Sequence, residues 1–599
     1  MVFFIPLRKV LPWLAAISCV VVLSIHVKSE LPTLNLKNVF GQVIFPAPRP
    51  PSASGEEPFR WSTVPPLNYL QWQDCIPGRQ CARLIVPLNY SEPEGREAVI
   101  ALIRKPAAVP AESESYLGPI LLNPGGPGGS GVDLIVRAGD SLSVIIGPEF
   151  DIVGFDPRGI GRSTPQVLFL KTGVERELWK ENLIINASDG SIGRSLAKSR
   201  LLNRLALEQD NETLAFINTD HTARDMLRIV EAHGQQKIKY WGFSYGTVLG
   251  ATFAAMFPDR IDRLVIDAVV DSEEWYKGIM SNELRDTDKA FTSFFDACWS
   301  AGPERCAFYA PTPEDIRHNL TRLSGSILQS PLPVHTKSGY GLIDYAGLRV
   351  ALFRMLYKPH AQFELFAQGL ADLARGNGTL LFQLGPFQKS YKCECCKKDY
   401  WDVDVDDAGV AVLCNDGKPV VWDEDAAKEH IEKTTKQSEF AHLNLLFQVE
   451  RWGCVDWPRF SKEHLFQGQF NVTTSHPLLV VGNTADPITP LASARKMSQL
   501  FQNSSLLTQN STGHGSVSAP SLCTQNYIRQ YFLSGTVPPS GTVCQPVRGP
   551  FDRDDEVTLG SFEEDLQLPL LADDLKLLSA VKELGTSLNQ MRHFLPFAI

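Results

Sequence analysis

The sequence predicts an α/β protein: a mostly parallel sheet flanked by helices, interrupted by a long and largely helical cap insertion. Three observations carry this. Short runs rich in β-branched residues end in glycine-rich loops. Helical patterns alternate with those runs. The alternation breaks down between about 272 and 470 and then resumes.

The elements follow in chain order. Within residues 1–30, Arg8 and Lys9 precede a 16-residue apolar run, 10–25. That length falls between a secretory apolar region of about 7–15 residues and a spanning helix of about 20. It reads as a signal anchor, which would attach the chain to a membrane through residues 10–27, or as a cleaved signal peptide. Either reading sends the chain into the secretory pathway, extracellular or membrane-anchored, because the positive charges precede the run. Residues 31–75 are a Pro- and Ser-rich lead-in. The first part of the core, 76–271, carries strands near 83–87, 98–104, 119–122, 151–155, 237–241 and 264–268, with a small-residue helix at 247–257. The insertion, 272–470, holds helical patterns at 345–356 and 363–374, the cluster Cys393, Cys395, Cys396 and an acidic run at 402–407. The run reads as a solvated loop, since it lacks the glycine and terminal glutamate of a calcium loop. The core resumes over 471–550, with strands at 477–481 and 505–508 around a helical 490–500. Residues 551–599 are an acidic tail with a helix expected near 571–591.

Composition limits the function classes. Of 599 residues, 44% are hydrophobic and 21% charged, so the chain is globular. A net charge of −10 with no long basic run excludes nucleic acid as the expected partner. Eight sequons, at Asn89, Asn186, Asn211, Asn319, Asn377, Asn471, Asn503 and Asn510, are candidate glycan acceptors and agree with export. Short spacings suggest disulfides Cys75–Cys81, Cys298–Cys306 and Cys523–Cys544, with Cys414–Cys454 as a longer closure, although spacing does not fix connectivity. The Cys393 cluster lacks a second ligand pair at zinc-like spacing, so a disulfide or free thiol ranks above a metal there.

The chemistry centres on GFSYG, residues 242–246. A serine on a sharp strand-to-helix turn needs glycines two before and two after it, and the turn aims a helix N-terminus at the reacting carbonyl. Ser244 needs a base and the base an orienting acid, in the order Ser, Asp or Glu, His. His514, in the Gly-flanked STGHGS, is the candidate base. Asp486, in PLLVVGNTADPITP, is the candidate acid, with Asp267 and Asp271 as alternatives. The loop NPGGPGGSG, residues 123–131, follows a strand and offers N–H donors for an oxyanion. Gly126 and Tyr245 are the candidate donors. It lacks the lysine of a phosphate-binding loop.

These motifs, with DIVGFDPRGIGRSTP and the order in which they occur, resemble the secreted tripeptidyl aminopeptidase branch of the α/β-hydrolases, relatives of the prolyl iminopeptidases. The resemblance spans about 75–550, and CVDW with Cys523 and Cys544 resembles the branch's C-terminal domain. It implies a serine exopeptidase acting on free peptide N-termini through an acyl-enzyme, with Ser244, Asp486 and His514 as the triad, the Gly125–Gly126 region as oxyanion loop, and no cofactor or metal. Prolyl iminopeptidases carry His-Gly-Gly-Pro-Gly where this chain has Pro124 to Gly128. An aminopeptidase needs carboxylates for the substrate ammonium. Asp271, Glu273 and Glu274 follow a strand and are candidates, with no means of choosing among them. The alternative is a carboxylesterase or lipase using the same triad. Oligomeric state is not legible.

Overall fold

A computed structural model describes residues 59–387, 406–443, 451–552 and 572–589, apart from 180, 182, 183, 187, 279, 281, 338, 420 and 462–464. The apolar run at 10–25, the cluster Cys393, Cys395, Cys396 and the acidic residues before 406 lie outside the described residues.

Eight strands build the central sheet: β1 (Arg79–Pro87), β2 (Glu97–Lys105), β3 (Gly118–Asn123), β4 (Phe150–Phe155), β5 (Ile238–Phe243), β6 (Ile261–Asp267), β7 (Leu479–Ala485) and β8 (Ser505–Thr512). Their order is β1-β2-β4-β3-β5-β6-β7-β8, with two-residue strands at both edges and the short strand Gln73–Ile76 antiparallel to β1, eleven strands in all among the described residues. β2 pairs antiparallel with β1 and with β4, and every later pair is parallel. The apolar runs of β3 and β4 are buried along their whole length, as a parallel sheet covered on both faces requires.

On one face, Met226 and Ile229 of helix Thr219–Ala232 pack with Val248 and Phe253 of helix Tyr245–Met256. On the other, helix Gly131–Ile146 packs with Leu522–Ser534 and Ala572–Asn589. The helix expected in the tail is therefore part of the core, with Leu577, Val581 and Leu584 buried.

The insertion is mostly helical and has its own phenylalanine-rich core, in which Phe291, Phe294, Phe353, Phe363 and Phe440 meet. It also contains an antiparallel hairpin, Leu332–Thr336 with Gly339–Ile343, which the sequence pattern did not reveal. The span 272–470 is not uniform. Ala411 and Leu413 of helix Asp406–Asn415 join the core beneath the sheet. Helix Ser191–Leu214, from before β5, packs through Ile192 and Leu196 on Ile431, Trp452 and Val455 of the insertion. The cover over the sheet thus draws on two separate stretches of chain.

The solvated-loop reading of the acidic run fails at Asp407. That carboxylate is buried, bonds Arg176 at 2.6 and 2.9 Å and accepts the Phe169 N–H at 2.6 Å. Among the described residues four disulfides join Cys75–Cys81, Cys298–Cys306, Cys414–Cys454 and Cys523–Cys544. Asn186, Asn377, Asn471, Asn503 and Asn510 are exposed, Asn89 and Asn319 half-buried; the side chain of Asn211 is outside the description. Among the described residues no helix is long and apolar enough to cross a membrane.

Candidate active site

Ser244 follows β5 and precedes helix Tyr245–Met256, with φ 55° and ψ −125°. That left-handed conformation is costly for a serine and persists only where the surroundings fix it. Here the glycines are needed: a Cβ on Gly242 would stand 2.3 Å from Gly246 O, and one on Gly246 2.9 Å from Asn123 O. Ser244 N–H donates to Asp267 O at 3.1 Å, tying the turn to the end of β6.

Asp486 follows β7 and His514 follows β8, and both are fully buried. His514 Nδ1 lies 3.0 and 3.1 Å from the two Asp486 carboxylate oxygens. Asp486 also accepts N–H groups from Ile488 (3.1 Å), Thr489 (2.9 Å) and Gly515 (3.0 Å). Burial alone would raise its pKa. The His514 charge and these hydrogen bonds outweigh burial, and the net direction is down. An Nδ1–H held on a carboxylate leaves Nε2 as the nitrogen that exchanges protons.

The His514 loop is fastened on every side. Asn483 Nδ2 donates to Gly513 O and Gly515 O, both at 2.7 Å, and His514 N–H donates to Tyr357 O at 3.0 Å. The Tyr357 ring lies 4.9 Å from the imidazole. Asp267, the first alternative acid, directs its carboxylate to Ser516 N (2.9 Å) and Oγ (2.5 Å). Burial pushes that carboxyl up to about 6, against the Ser516 hydrogen bonds and the His514 charge. A Cβ on Gly515 would touch Asp267 Oδ1 at 3.4 Å and Phe243 Cδ1 at 4.0 Å, so the histidine loop abuts the end of β5, one residue before Ser244.

The loop after β3 reaches the same turn. A Cβ on Gly125 would lie 2.8 Å from Ser244 Cβ and 3.3 Å from Tyr245 N. Gly125 N–H donates to Asn123 Oδ1 at 2.9 Å, within its own loop. Ser130 caps helix Gly131–Ile146 and donates to Asp156 Oδ1 at 2.5 Å, while Arg162 bonds Ser130 Oγ at 3.0 Å and Asp133 at 2.8 Å. The DPRGIGRS motif is thereby a clamp on the glycine loop.

The three acids after β6 part company. Asp271, the second alternative acid, caps helix Ser272–Lys277 and takes Lys496 Nζ at 2.9 and 2.8 Å. Glu273 pairs with Lys496 (3.0 Å) and Lys277 (3.5 Å). Glu274 accepts Asn282 Nδ2 at 2.7 Å. Asp271 and Glu274, with Glu283, Met280, Ile488 and Thr489, line a cavity; Glu273 is not part of its lining. Thr489 Oγ1 lies 3.2 Å from His514 Nδ1, so one residue of the cavity lining also touches the His–Asp pair. Thr489, Glu283 and Tyr357 escaped the sequence reading. The threonine three residues past Asp486 was the one local signal available.

A strand order of β1-β2-β4-β3-β5-β6-β7-β8, with a serine elbow after β5 and a histidine after β8, defines an α/β-hydrolase fold, and the chain is a serine hydrolase. Residues 444–544 match the family described as TAP-like protein. The serine protease Hip1 of Mycobacterium tuberculosis is 28% identical over 499 residues, covering 82% of this chain and 91% of that protein. The tripeptidyl aminopeptidase of Streptomyces lividans is 27% identical over 506 residues, covering 80% of this chain and 87% of that protein. A carboxylesterase B of Mycobacterium tuberculosis is 28% identical over 490 residues, covering 78% and 86%. The chain is thus similar to TAP-like α/β-hydrolase peptidases.

Proposed function

We propose that the protein is a serine exopeptidase that cleaves short peptides or residues from free peptide N-termini. Ser244 Oγ attacks the scissile carbonyl as His514 Nε2 takes its proton. Asp486 stabilises the imidazolium, and Gly126 and Tyr245 N–H hold the oxyanion. The imidazolium then protonates the leaving amine. Water, deprotonated by the same imidazole, hydrolyses the acyl-enzyme. The carboxylates of Asp271, Glu274 and Glu283 beside Thr489 would receive the substrate ammonium, with Lys496 offsetting part of their charge.

The observation that carries this reading is the acid-lined cavity whose Thr489 also touches the His514–Asp486 pair, which offers carboxylates to a cationic peptide end. The peptidases named among the relatives support it. Ester hydrolysis by the same groups is the second reading, favoured by the carboxylesterase relative. Kinetics on a peptide amide with a free amino end, its N-acetylated form and an aryl ester separate the two. The exopeptidase reading expects the blocked peptide to lose kcat/KM at least tenfold. Equal cleavage of both peptides would end it.

A further inference from the structure

We propose that helix Asp406–Asn415 and the residue after it, Asp416, position the oxyanion hole, with Asp416 acting on Tyr245 through Thr219. The proposal rests on reading Ser244 as nucleophile and Tyr245 N–H as an oxyanion donor. Asp416, Thr219 and Tyr245 come from the insertion and two different core helices, and no motif marks their link.

The chain of contacts is short and buried. Asp416 is 4% exposed. Its Oδ1 accepts Thr219 N–H at 2.9 Å, and its Oδ2 takes Thr219 Oγ1 at 2.5 Å and Trp275 Nε1–H at 2.8 Å. Thr219 Oγ1 also lies 2.6 Å from the Tyr245 hydroxyl. A carboxylate only accepts, so the threonine proton points at Asp416 and its lone pair receives the tyrosine proton. Burial pushes the Asp416 carboxyl up, while the Thr219 and Trp275 donors and the Arg451 charge oppose it. The Tyr245 ring packs 5.3 Å from Trp275, so both ends of the tyrosine side chain are fixed by groups that meet at Asp416.

The same helix touches the other side of the hole. A Cβ on Gly409 would stand 2.4 Å from Pro127 O and 3.7 Å from Gly128 Cα, so the helix backbone rests on the loop just past Gly126. The helix is itself pinned. Asn415 Nδ2 donates to Leu214 O (2.7 Å) and Ile217 O (2.8 Å), Arg451 donates to Asp416 O at 2.7 Å and to Trp275 O, and Cys414 is bonded to Cys454. One ten-residue helix and its next residue thus brace both elements that carry the expected donors. Small displacements of such donors have large effects on rate.

The test compares wild type with Thr219→Val, Tyr245→Phe, Asp416→Asn and the double variant Thr219→Val/Asp416→Asn on an aryl ester, with an alkylboronic acid as a probe that forms a tetrahedral adduct. Each single variant is expected to lower kcat about tenfold and weaken the boronate in parallel, with KM moving less than about twofold. The double variant is expected to be no slower than Asp416→Asn, because both changes break one chain. Should Asp416→Asn fail to fold, the Thr219 and Tyr245 variants still decide. Retention of kcat within twofold in both, or losses that multiply in the double variant, would overturn the proposal. Fluorophosphonate labelling of wild type keeps the two readings apart. No label on Ser244 would sink the nucleophile assignment, whereas labelling with unchanged variants sinks the positioning role alone.

Discussion

Asp267 joins Ser516 to Ser244. Its carboxylate takes the Ser516 hydroxyl at 2.5 Å and N–H at 2.9 Å, and its carbonyl takes the Ser244 N–H at 3.1 Å. One residue at the end of β6 therefore sets the spacing between the elbow of β5 and the loop that carries His514. Replacing it with alanine leaves the Ser516 N–H unpaired in a fully buried site. The expected cost is about 1–3 kcal/mol in stability, read by denaturant unfolding, with a fall in kcat of about tenfold or more. Asp267→Asn keeps one acceptor and should retain most of both. Equal damage from the two variants would show that charge, not the hydrogen-bond bridge, is what matters.

Lys496 is the counterweight of the acid-lined cavity, since it holds Asp271 at 2.8 Å and Glu273 at 3.0 Å. Lys496→Met removes the counter-charge from Asp271 and half of that on Glu273, near Glu274 and Glu283. For peptides with a free ammonium, KM should fall severalfold at low ionic strength, and the gain should fade with added salt. Glu274→Gln should raise the same KM. Neither change should alter KM for a neutral ester by more than about twofold, since that substrate carries no charge for the carboxylates to attract.

Much of the candidate site was legible because its parts are local. The GFSYG turn, the glycine loop and the Asp486 and His514 loops each declare themselves within a few residues, through backbone demands that few side chains satisfy. The strands were read at roughly their observed places for the same reason, as short apolar runs before loops. What stayed hidden was long-range. Nothing near Asp416 announces that it will meet Thr219, 197 residues earlier. Asp407 sat in an acidic run typical of solvent, and Arg176 with the Phe169 N–H makes its burial tolerable. Among the three acids after β6, choice depended on where Lys496 folds back, which no local pattern encodes.

The bond Cys414–Cys454 closes a loop with a sequence separation of 40 next to Asn415 and Asp416. Removing both cysteines by Cys414→Ala/Cys454→Ala should destabilise the protein by about 2–4 kcal/mol, measured by thermal or denaturant unfolding. Because the segment stays pinned by Asn415 and Arg451, the double variant should still fold. Removing Cys75 and Cys81, a separation of 6 at the sheet margin, should cost less. A larger loss at the short loop would argue that strain or packing, rather than chain constraint, sets the effect.

Lys358 supplies a pH test of the site's surroundings. It is 2% exposed and sits between Tyr357, whose carbonyl holds the His514 N–H, and Pro359, which packs on Gly513. Burial drives its pKa down from 10.5 to about 7, with Asp267 and Asp486 pulling the other way. Below pH 7 the folded protein carries a buried ammonium. Between pH 7 and about 10.5 the folded amine is neutral while the unfolded chain still binds the proton. The unfolded state then holds more protons, so this group makes stability rise with pH across that window. Lys358→Met removes the titration. From pH 7 to pH 10 the melting temperature of wild type should therefore rise relative to that of the variant, so the variant's advantage is largest, or its deficit smallest, at the neutral end. Curves that stay parallel through the whole range would mean that the amine keeps its proton, held by the neighbouring carboxylates against the cost of burial.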